Sequence, residues 1–328
     1  CSTAEVNPLF SDSVYIDRLS RIPAVMEMPY NDIVRKFIDM YAGRLRNQVS
    51  FMLSACNFYM PIFEEALDAY GLPLELKYLP IIESALNPSA VSRAGASGLW
   101  QFMIGTGKIY GLESNSLIDE RRDPIKATWA AARYLKEMYD IYGDWNLVIA
   151  AYNCGPGTIN KAIRRAGGET DYWKIYNLLP KETRGYVPAF IAANYVMTYY
   201  CDHNICPMET NIPASTDTVQ VTQNLHFEQI AELCNVPLDE VKSLNPQYKK
   251  QIIPGTTKPC TLRLPQGAIS AFIDKQDTIY AHRADELFRN RKTVAVKEIT
   301  PATRRQTSAI AGKGKLTYYK IKSGDTLS

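Results

Sequence analysis

The chain has 328 residues, of which 46% are hydrophobic, so it is long enough to form two or more folded units with a sizeable core. Its 37 Lys and Arg residues against 34 Asp and Glu residues leave a formal net charge of +3, which is too small to indicate nucleic-acid binding by itself. No apolar run of roughly 18 residues is present, so the sequence predicts no membrane-spanning helix.

The first part of the chain is predicted to be mainly α-helical. We interpret residues 1–30 as an N-terminal arm and residues 31–206 as a helical domain. Asp123 can cap a helix that has Pro124 at its first position and ends at Gly143. Similar signals predict further helices: one capped by Asn31, one from Pro61 to Tyr70, one from Trp145 to Tyr152 capped by Asp144, one from Thr158 to Ala166 and one from Glu182 to Tyr199.

The second part of the chain has a different pattern. Residues 207–218 contain two prolines and several hydroxyl side chains, which is typical of a linker. Residues 219–265 predict a small α+β module in the order strand, helix, helix, strand. Residues 266–315 begin as a helix and continue as a basic connector, and residues 316–328 start another strand and turn.

The cysteines and histidines predict no metal site and no cofactor. The three histidines are far apart in sequence, and no Cys-x-x-Cys pair occurs. Cys201 with Cys206, and Cys234 with Cys260, are candidate disulfides in an oxidising compartment, and buried thiols are the alternative for both pairs.

Glu83 is the strongest candidate for a catalytic residue. It lies between Ile81, Ile82 and Leu86, and a carboxyl in apolar surroundings keeps its proton toward neutral pH because desolvation disfavours the charged form. Such a group can act as a general acid. Pro80 precedes it closely and is expected to kink or break the helix there. A glycine-spaced segment with Trp100 and Gln101 follows, which suits contact with a sugar polymer.

Several motifs in order resemble the lytic murein transglycosylases, in particular the membrane-bound type D. They are Glu83-Ser84, Gly95 to Met103, Asp119 to Pro124, and Ala150 to Gly157, within a match of roughly residues 30–205. This resemblance implies a lysozyme-like helical catalytic domain. Residues 219–265 resemble a divergent LysM module, which implies either glycan binding or packing against the catalytic domain, and residues 316–328 resemble the start of a truncated LysM module.

The resemblance also implies the residues of the site. Glu83 would be the catalytic acid and base, with Tyr152 donating a hydrogen bond to it. Trp100 is open between a core residue and a sugar platform, and Asp119 to Asp123 are expected to form a charge network that fixes the loop before Pro124. The substrate-binding residues are expected to be Ser92, Gln101, Met103, Tyr152, Asn153 and Glu182. The alternatives are a loop hydrogen bond for Gln101 and a helix-capping role for Glu182.

The function implied is cleavage of the β-1,4 bond between N-acetylmuramic acid and N-acetylglucosamine in peptidoglycan, with formation of a 1,6-anhydromuramyl end. A lysozyme-like hydrolase and a non-catalytic wall-binding protein are the alternatives. The expected partner is the glycan strand, with no nucleic acid, and the protein is expected to be a monomer. Cys1 is typical of a processed lipoprotein, and an arbitrary starting point of the sequence is the alternative. The lipoprotein interpretation predicts a periplasmic protein anchored to a membrane through its lipid.

Overall fold

The computed structural model describes residues 7–210, 212–213 and 215–288. Three predictions lie outside the described residues: the lipid on Cys1, the basic tract after residue 288, and the second LysM start at 316–328. Among the described residues, no helix combines the length and the apolar content needed to cross a membrane.

Helices make up the first unit, as the sequence predicts. Short 3₁₀ and π segments connect several of them. The helices are α1 (Asp12–Arg21), α2 (Asp32–Asp39), α3 (Arg46–Ala69), α4 (Leu79–Ser84), α5 (Ile104–Ile109), α6 (Pro124–Tyr142), α7 (Trp145–Cys154), α8 (Pro156–Arg165), α9 (Tyr172–Ile175) and α10 (Lys181–Tyr199).

The helix-capping residues predicted from the sequence cap helices in the structure. The Asn31 side chain accepts hydrogen bonds from the first backbone amides of α2, and the Asp123 carboxylate does the same for α6. Gly143 ends α6 with a φ of 61°, a left-handed conformation that glycine adopts without steric cost. The cap residues therefore fix where these helices begin and end.

Prolines are placed differently from the predictions. Pro80 lies in the first turn of α4, where its missing N–H is not needed, so it starts a helix and the predicted break is wrong. The helix predicted to begin at Pro61 begins at Arg46 and contains Pro61 in its interior. Pro188 likewise lies inside α10.

Helix α10 is the centre of the first core. Nearly all of its residues from Thr183 to Met197 are buried, as expected of a helix surrounded by others. It packs against α2, α4 and α7, while α3 packs against α6. Tyr15 of α1 is fully buried in the same core, so part of the predicted N-terminal arm packs into the helical unit.

The second unit is a small α+β module with its own core. Its elements are β1 (Thr216–Val221), β2 (Asn224–His226), α11 (Phe227–Cys234), α12 (Leu238–Leu244), β3 (Ile252–Pro254) and β4 (Cys260–Pro265). Strand β1 pairs antiparallel with β4, and β2 pairs antiparallel with β3. Three helices follow: α13 (Gln266–Asp274), α14 (Gln276–Ala281) and α15 (Ala284–Leu287).

The candidate disulfide between Cys234 and Cys260 is not formed. Both residues are buried thiols, and burial raises the pKa of each. The Cys260 thiol donates to the Lys258 carbonyl at 3.4 Å. The alternative that the sequence left open, buried thiols, therefore holds for this pair.

Candidate active site

Glu83 lies in the last turn of α4, directly before a sharp change in chain direction. Ala85 and Leu86 have φ values of 51° and 59°, so the helix ends in two left-handed residues. The Ser84 hydroxyl donates to the carbonyls of Pro80, at 3.0 Å, and of Leu99, at 2.9 Å. This hydroxyl therefore ties the end of α4 to the segment 92–103, which we call the site loop.

The environment of Glu83 favours its protonated form. Burial raises the pKa of the Glu83 carboxyl to about 7, and the negative charge of Glu182 acts in the same direction. The Tyr186 hydroxyl donates a hydrogen bond to Glu83 Oε1, which stabilises the carboxylate and limits the rise in the pKa. At neutral pH the carboxyl is therefore close to its midpoint, as suits a group that gives and takes a proton.

The hydrogen bond to Glu83 comes from Tyr186, whereas the sequence predicted it from Tyr152. The Tyr152 hydroxyl donates instead to the Trp100 carbonyl at 2.7 Å. Both tyrosines are close to Glu83, since its charge raises the pKa of each phenol. Tyr186 follows Glu182 by four residues and so lies on the same side of a helix, but this spacing does not indicate which tyrosine donates to Glu83.

The site loop is held by its own backbone. The Ser92 amide donates to the Ala96 carbonyl at 2.9 Å, and the Ser92 hydroxyl accepts from the Ala96 amide at 3.0 Å. Gln101 has a φ of 49°, and its side-chain nitrogen donates to the Gly98 carbonyl at 2.8 Å and to the Ala90 carbonyl at 3.2 Å. Part of the Gln101 amide therefore serves the loop itself.

A groove with a volume of about 640 Å³ passes Glu83. A second cavity of about 430 Å³ shares Glu83, Ser92 and Gln101 with it, so open space lies on both sides of the carboxyl. Such a shape can accept a polymer on either side of a cleaved bond. All seven predicted site residues line the larger groove: Glu83, Ser92, Gln101, Met103, Tyr152, Asn153 and Glu182.

These lining residues come from distant parts of the chain. The Asn153 side-chain oxygen, on α7, accepts from the Thr183 hydroxyl at 2.9 Å, which fixes the start of α10 beside the groove. Tyr134 of α6 also lines the groove, and the sequence analysis did not single it out. Its ring lies 5.5 Å from that of Tyr152, so it extends the aromatic wall.

Trp100 is a core residue. It is fully buried, and its indole nitrogen donates to the Thr128 hydroxyl at 2.9 Å. The ring packs edge-on against Phe63 at 5.3 Å between centroids. Of the two interpretations that the sequence left open, the structure therefore excludes the sugar platform.

The predicted charge network around Asp119 is present and buried. Arg121 binds both carboxylate oxygens of Asp119, at 2.9 and 2.8 Å, and donates to the carbonyls of Gly95 and Phe102, at 2.8 and 2.9 Å. A planar guanidinium satisfies these four acceptors at once, which a lysine could not do. The network thus reaches the site loop, which the sequence did not reveal.

No cluster of metal-ligating side chains occurs among the residues that the structure describes. The groove instead contains hydroxyl, amide and carboxyl groups beside aromatic rings. These are side chains that recognise sugars by hydrogen bonding and by contact with the apolar faces of the rings.

Comparison with protein families agrees with this architecture. Residues 60–175 match the transglycosylase SLT domain, and residues 215–281 match the LysM-like domain of lytic transglycosylase MltD. The chain therefore contains a transglycosylase SLT domain within its lysozyme-like helical unit, followed by a LysM-like module. The predicted fold class is confirmed.

Individual relatives extend the similarity over most of the chain. Membrane-bound lytic murein transglycosylase D of Escherichia coli (strain K12) is 29% identical over 309 residues, which cover 92% of this chain and 63% of that protein. The chain thus spans a little under two thirds of that relative. The soluble lytic murein transglycosylase of the same strain is 33% identical over 124 residues, covering 36% of this chain and 19% of the relative. The crystal structure of the 70 kDa soluble lytic transglycosylase of Escherichia coli matches 46% of this chain and 26% of that chain, with 29% identity and a TM-score of 0.38.

Proposed function

We propose that this protein is a peptidoglycan lytic transglycosylase that cleaves the β-1,4 bond between N-acetylmuramic acid and N-acetylglucosamine. The observation that carries the proposal is a carboxyl with a pKa of about 7, Glu83, in a groove that continues on both sides of it. Such a carboxyl is half protonated at neutral pH, so it can donate a proton to the glycosidic oxygen. The match of residues 60–175 to the transglycosylase SLT domain supports the same reaction.

One carboxyl suffices for the complete reaction. Glu83 first gives its proton to the bridging oxygen, and the bond from that oxygen to the muramyl C1 breaks. The resulting carboxylate then takes the proton of the muramyl C6 hydroxyl, whose oxygen bonds to C1. The product carries a 1,6-anhydro ring, Glu83 is protonated again, and no water is consumed.

The other groove residues receive roles in binding. We infer that Ser92, Gln101 and Asn153 contact the sugar through hydrogen bonds and that Met103 and Tyr152 supply apolar surface. Glu182 is exposed, lines the groove and increases the proton affinity of Glu83 through its charge. We assign catalysis to the helical unit, whose predicted range 31–206 is extended by the part of the N-terminal arm that packs into its core. The predicted module 219–265 is extended in both directions, because β1 begins at Thr216 and Ala268, Phe272 and Ile279 belong to the core of the module.

The proposed location is the bacterial cell envelope, because peptidoglycan is found there. The presence of a membrane-bound relative supports this location. Lipid attachment at Cys1, a periplasmic location and a monomeric state remain predictions from the sequence.

Mass spectrometry of digested cell-wall sacculi tests the reaction. The expected products end in an anhydro sugar and are one water lighter than hydrolysed ends. The Glu83→Gln variant should lose activity by ~10²-fold or more, the range for removal of a general acid, while still binding glycan. Hydrolysed ends from the wild-type protein would contradict the proposal, and so would unchanged activity of the variant.

A further inference from the structure

We propose that the LysM-like module is a positioning element for the active site, and that Lys249 is one of the residues through which it acts. The module would hold the segment 113–123, which we call the bridging loop, and the bridging loop would in turn hold the site loop. The inference rests on the proposed function for its catalytic consequence, whereas the mechanical coupling rests on contacts alone.

The first step is the contact between the module and the bridging loop. The Asp119 amide donates to the Gln247 carbonyl at 2.8 Å, and the Lys249 amide donates to the Leu117 carbonyl at 2.8 Å. Between these two bonds, Ile118 lies opposite Tyr248 in an antiparallel bridge. The bridging loop is therefore joined to the module by backbone pairing of the kind found in a sheet.

Side chains strengthen this contact. The Lys249 ammonium group donates to the Asn115 carbonyl at 2.6 Å. Lys258 binds Glu113 and lies 3.8 Å from Glu120.

Leu117 and Ile118 of the bridging loop, only 2% and 3% exposed, are part of the core of the module and not of the helical core. The module thus provides the apolar environment that these two side chains need.

The second step is the contact between the bridging loop and the site loop. The Asp119 carboxylate accepts hydrogen bonds from Nε and Nη2 of Arg121 and so orients its guanidinium group. The remaining nitrogen, Nη1, donates to the carbonyls of Gly95 and Phe102, near the two ends of the site loop. The Arg122 side chain donates to the Ser97 hydroxyl at 3.1 Å. The two loops also approach each other through their backbones, because a Cβ atom at Gly98 would lie 1.7 Å from the Arg121 carbonyl oxygen.

Asp119 takes part in both contacts, the one with the module and the one with the site loop. Its amide binds the module and its carboxylate holds Arg121, so a shift of the module at Gln247 is transmitted to the site loop through one residue. The site loop needs such support because Gln101 has a left-handed conformation, which persists only where surrounding contacts determine it. Gln101 lines the groove beside Glu83, and small displacements of positioning groups reduce turnover strongly.

Variants at Lys249 in the full chain test the coupling. Lys249→Met removes the contact with the Asn115 carbonyl, and Lys249→Pro also removes the backbone bond to Leu117. Lys250→Met is the matched control, because Lys250 is the adjacent lysine and is exposed. Lys249→Arg preserves a cation of similar reach.

Two readouts separate positioning from general stability. Hydrogen exchange measured by mass spectrometry reports the amides of residues 92–103, several of which are hydrogen-bonded within the loop. Kinetics on an isolated glycan report kcat and KM. We expect faster exchange in this segment for both test variants and a kcat lower by about ten-fold, with KM changed by less than about two-fold. Lys250→Met and Lys249→Arg should resemble the wild type.

The outcomes are distinct. Exchange and kcat in Lys249→Met equal to those of Lys250→Met would overturn the inference. If Lys249→Pro unfolds, as measured by circular dichroism, Lys249→Met decides alone. If the wild-type protein produces no anhydro ends, the proposed function fails, whereas the exchange of residues 92–103 still decides whether the module holds the site loop.

Discussion

The hydrogen bond from Tyr186 to Glu83 gives a prediction whose direction and size follow from the structure. This bond stabilises the Glu83 carboxylate and so lowers its pKa, against the larger effect of burial that raises it. Tyr186→Phe removes the donor and keeps the ring. The pKa of Glu83 should therefore rise above its present value of about 7.

The size of the change can be derived from hydrogen-bond energies. A hydrogen bond to a charged group contributes about 1.5–3 kcal/mol, and one pKa unit corresponds to about 1.36 kcal/mol. Glu83 is half-buried, so water replaces part of the lost bond and the lower end applies. We expect a rise of about one unit, which moves the midpoint from about 7 to about 8.

The pH dependence of kcat/KM on an isolated glycan measures this midpoint. A general acid must be protonated to act, so the rate falls as the pH rises through its pKa, and this limb reports the free enzyme. The limb of Tyr186→Phe should lie about one unit higher than that of the wild type. A limb at an unchanged or lower pH would refute the reasoning.

Tyr152→Phe is the matched control. The Tyr152 hydroxyl also lies near Glu83, but it donates to the Trp100 carbonyl. Its removal should leave the limb within a few tenths of a pH unit of the wild type, whatever it does to the maximal rate. A shift of the limb in Tyr152→Phe and none in Tyr186→Phe would show that Tyr152 is the donor to Glu83, as the sequence predicted.

Three further predictions concern charge, pH and packing. Glu182→Gln removes a negative charge that raises the pKa of Glu83, so the same kinetic limb should move to lower pH, by less than the shift in Tyr186→Phe; a shift to higher pH would contradict it. His203 is fully buried, and burial lowers its pKa to about 4. In the unfolded chain the imidazole of His203 becomes protonated below pH 6.5, whereas in the folded chain it does so only near pH 4. The neutral His203 therefore makes its full contribution to the free energy of unfolding above pH 6.5, and about 3 kcal/mol of this contribution is lost as the pH falls toward 4. Urea unfolding across this range measures the loss, which His203→Phe should reduce. Gly98→Ala places a Cβ atom 1.7 Å from a backbone oxygen, whereas Gly111→Ala, at a similar positive φ, meets no atom within 4 Å. Gly98→Ala should therefore lower the free energy of unfolding by about 2 kcal/mol more than Gly111→Ala does, as measured by urea unfolding. Equal free energies of unfolding for the two variants would show that the backbone at this contact can move apart.

The sequence predicts the fold where local signals act. Asn31, Asp123 and Gly143 determine helix ends through their own side chains or backbone freedom, and the structure contains all three features. Pro80 misled the prediction because the same ring that breaks a helix interior also suits its first turn. Pro80 lies in a first turn because a 3₁₀ turn, Leu74–Tyr78, precedes α4 and the α-helix begins only after it. No local sequence pattern predicted this 3₁₀ turn.

In the candidate site too, features set by neighbouring residues could be predicted and features set by tertiary packing could not. The apolar neighbours of Glu83 were sufficient to predict a raised pKa, since burial is the largest cause of the shift. The donor to Glu83 could not be predicted, because Tyr152 and Tyr186 both approach it and the choice depends on how α7 and α10 pack. The link from Asp119 through Arg121 to Gly95 is also a tertiary contact that spacing does not encode.

The proposed reaction requires opposite protonation states of one side chain, and this requirement explains the balance of forces on Glu83. A carboxyl with an ordinary pKa would be ionised at neutral pH and could not protonate the glycosidic oxygen, whereas one with a much higher pKa would be too weak an acid to donate. Burial and the charge of Glu182 raise the pKa, and the Tyr186 hydroxyl lowers it. Because the Tyr186 hydroxyl supports the carboxylate, it stabilises the form that exists between proton donation and proton return. We therefore expect Tyr186→Phe to slow the reaction even at its new optimal pH, which a shift of the pKa alone would not do.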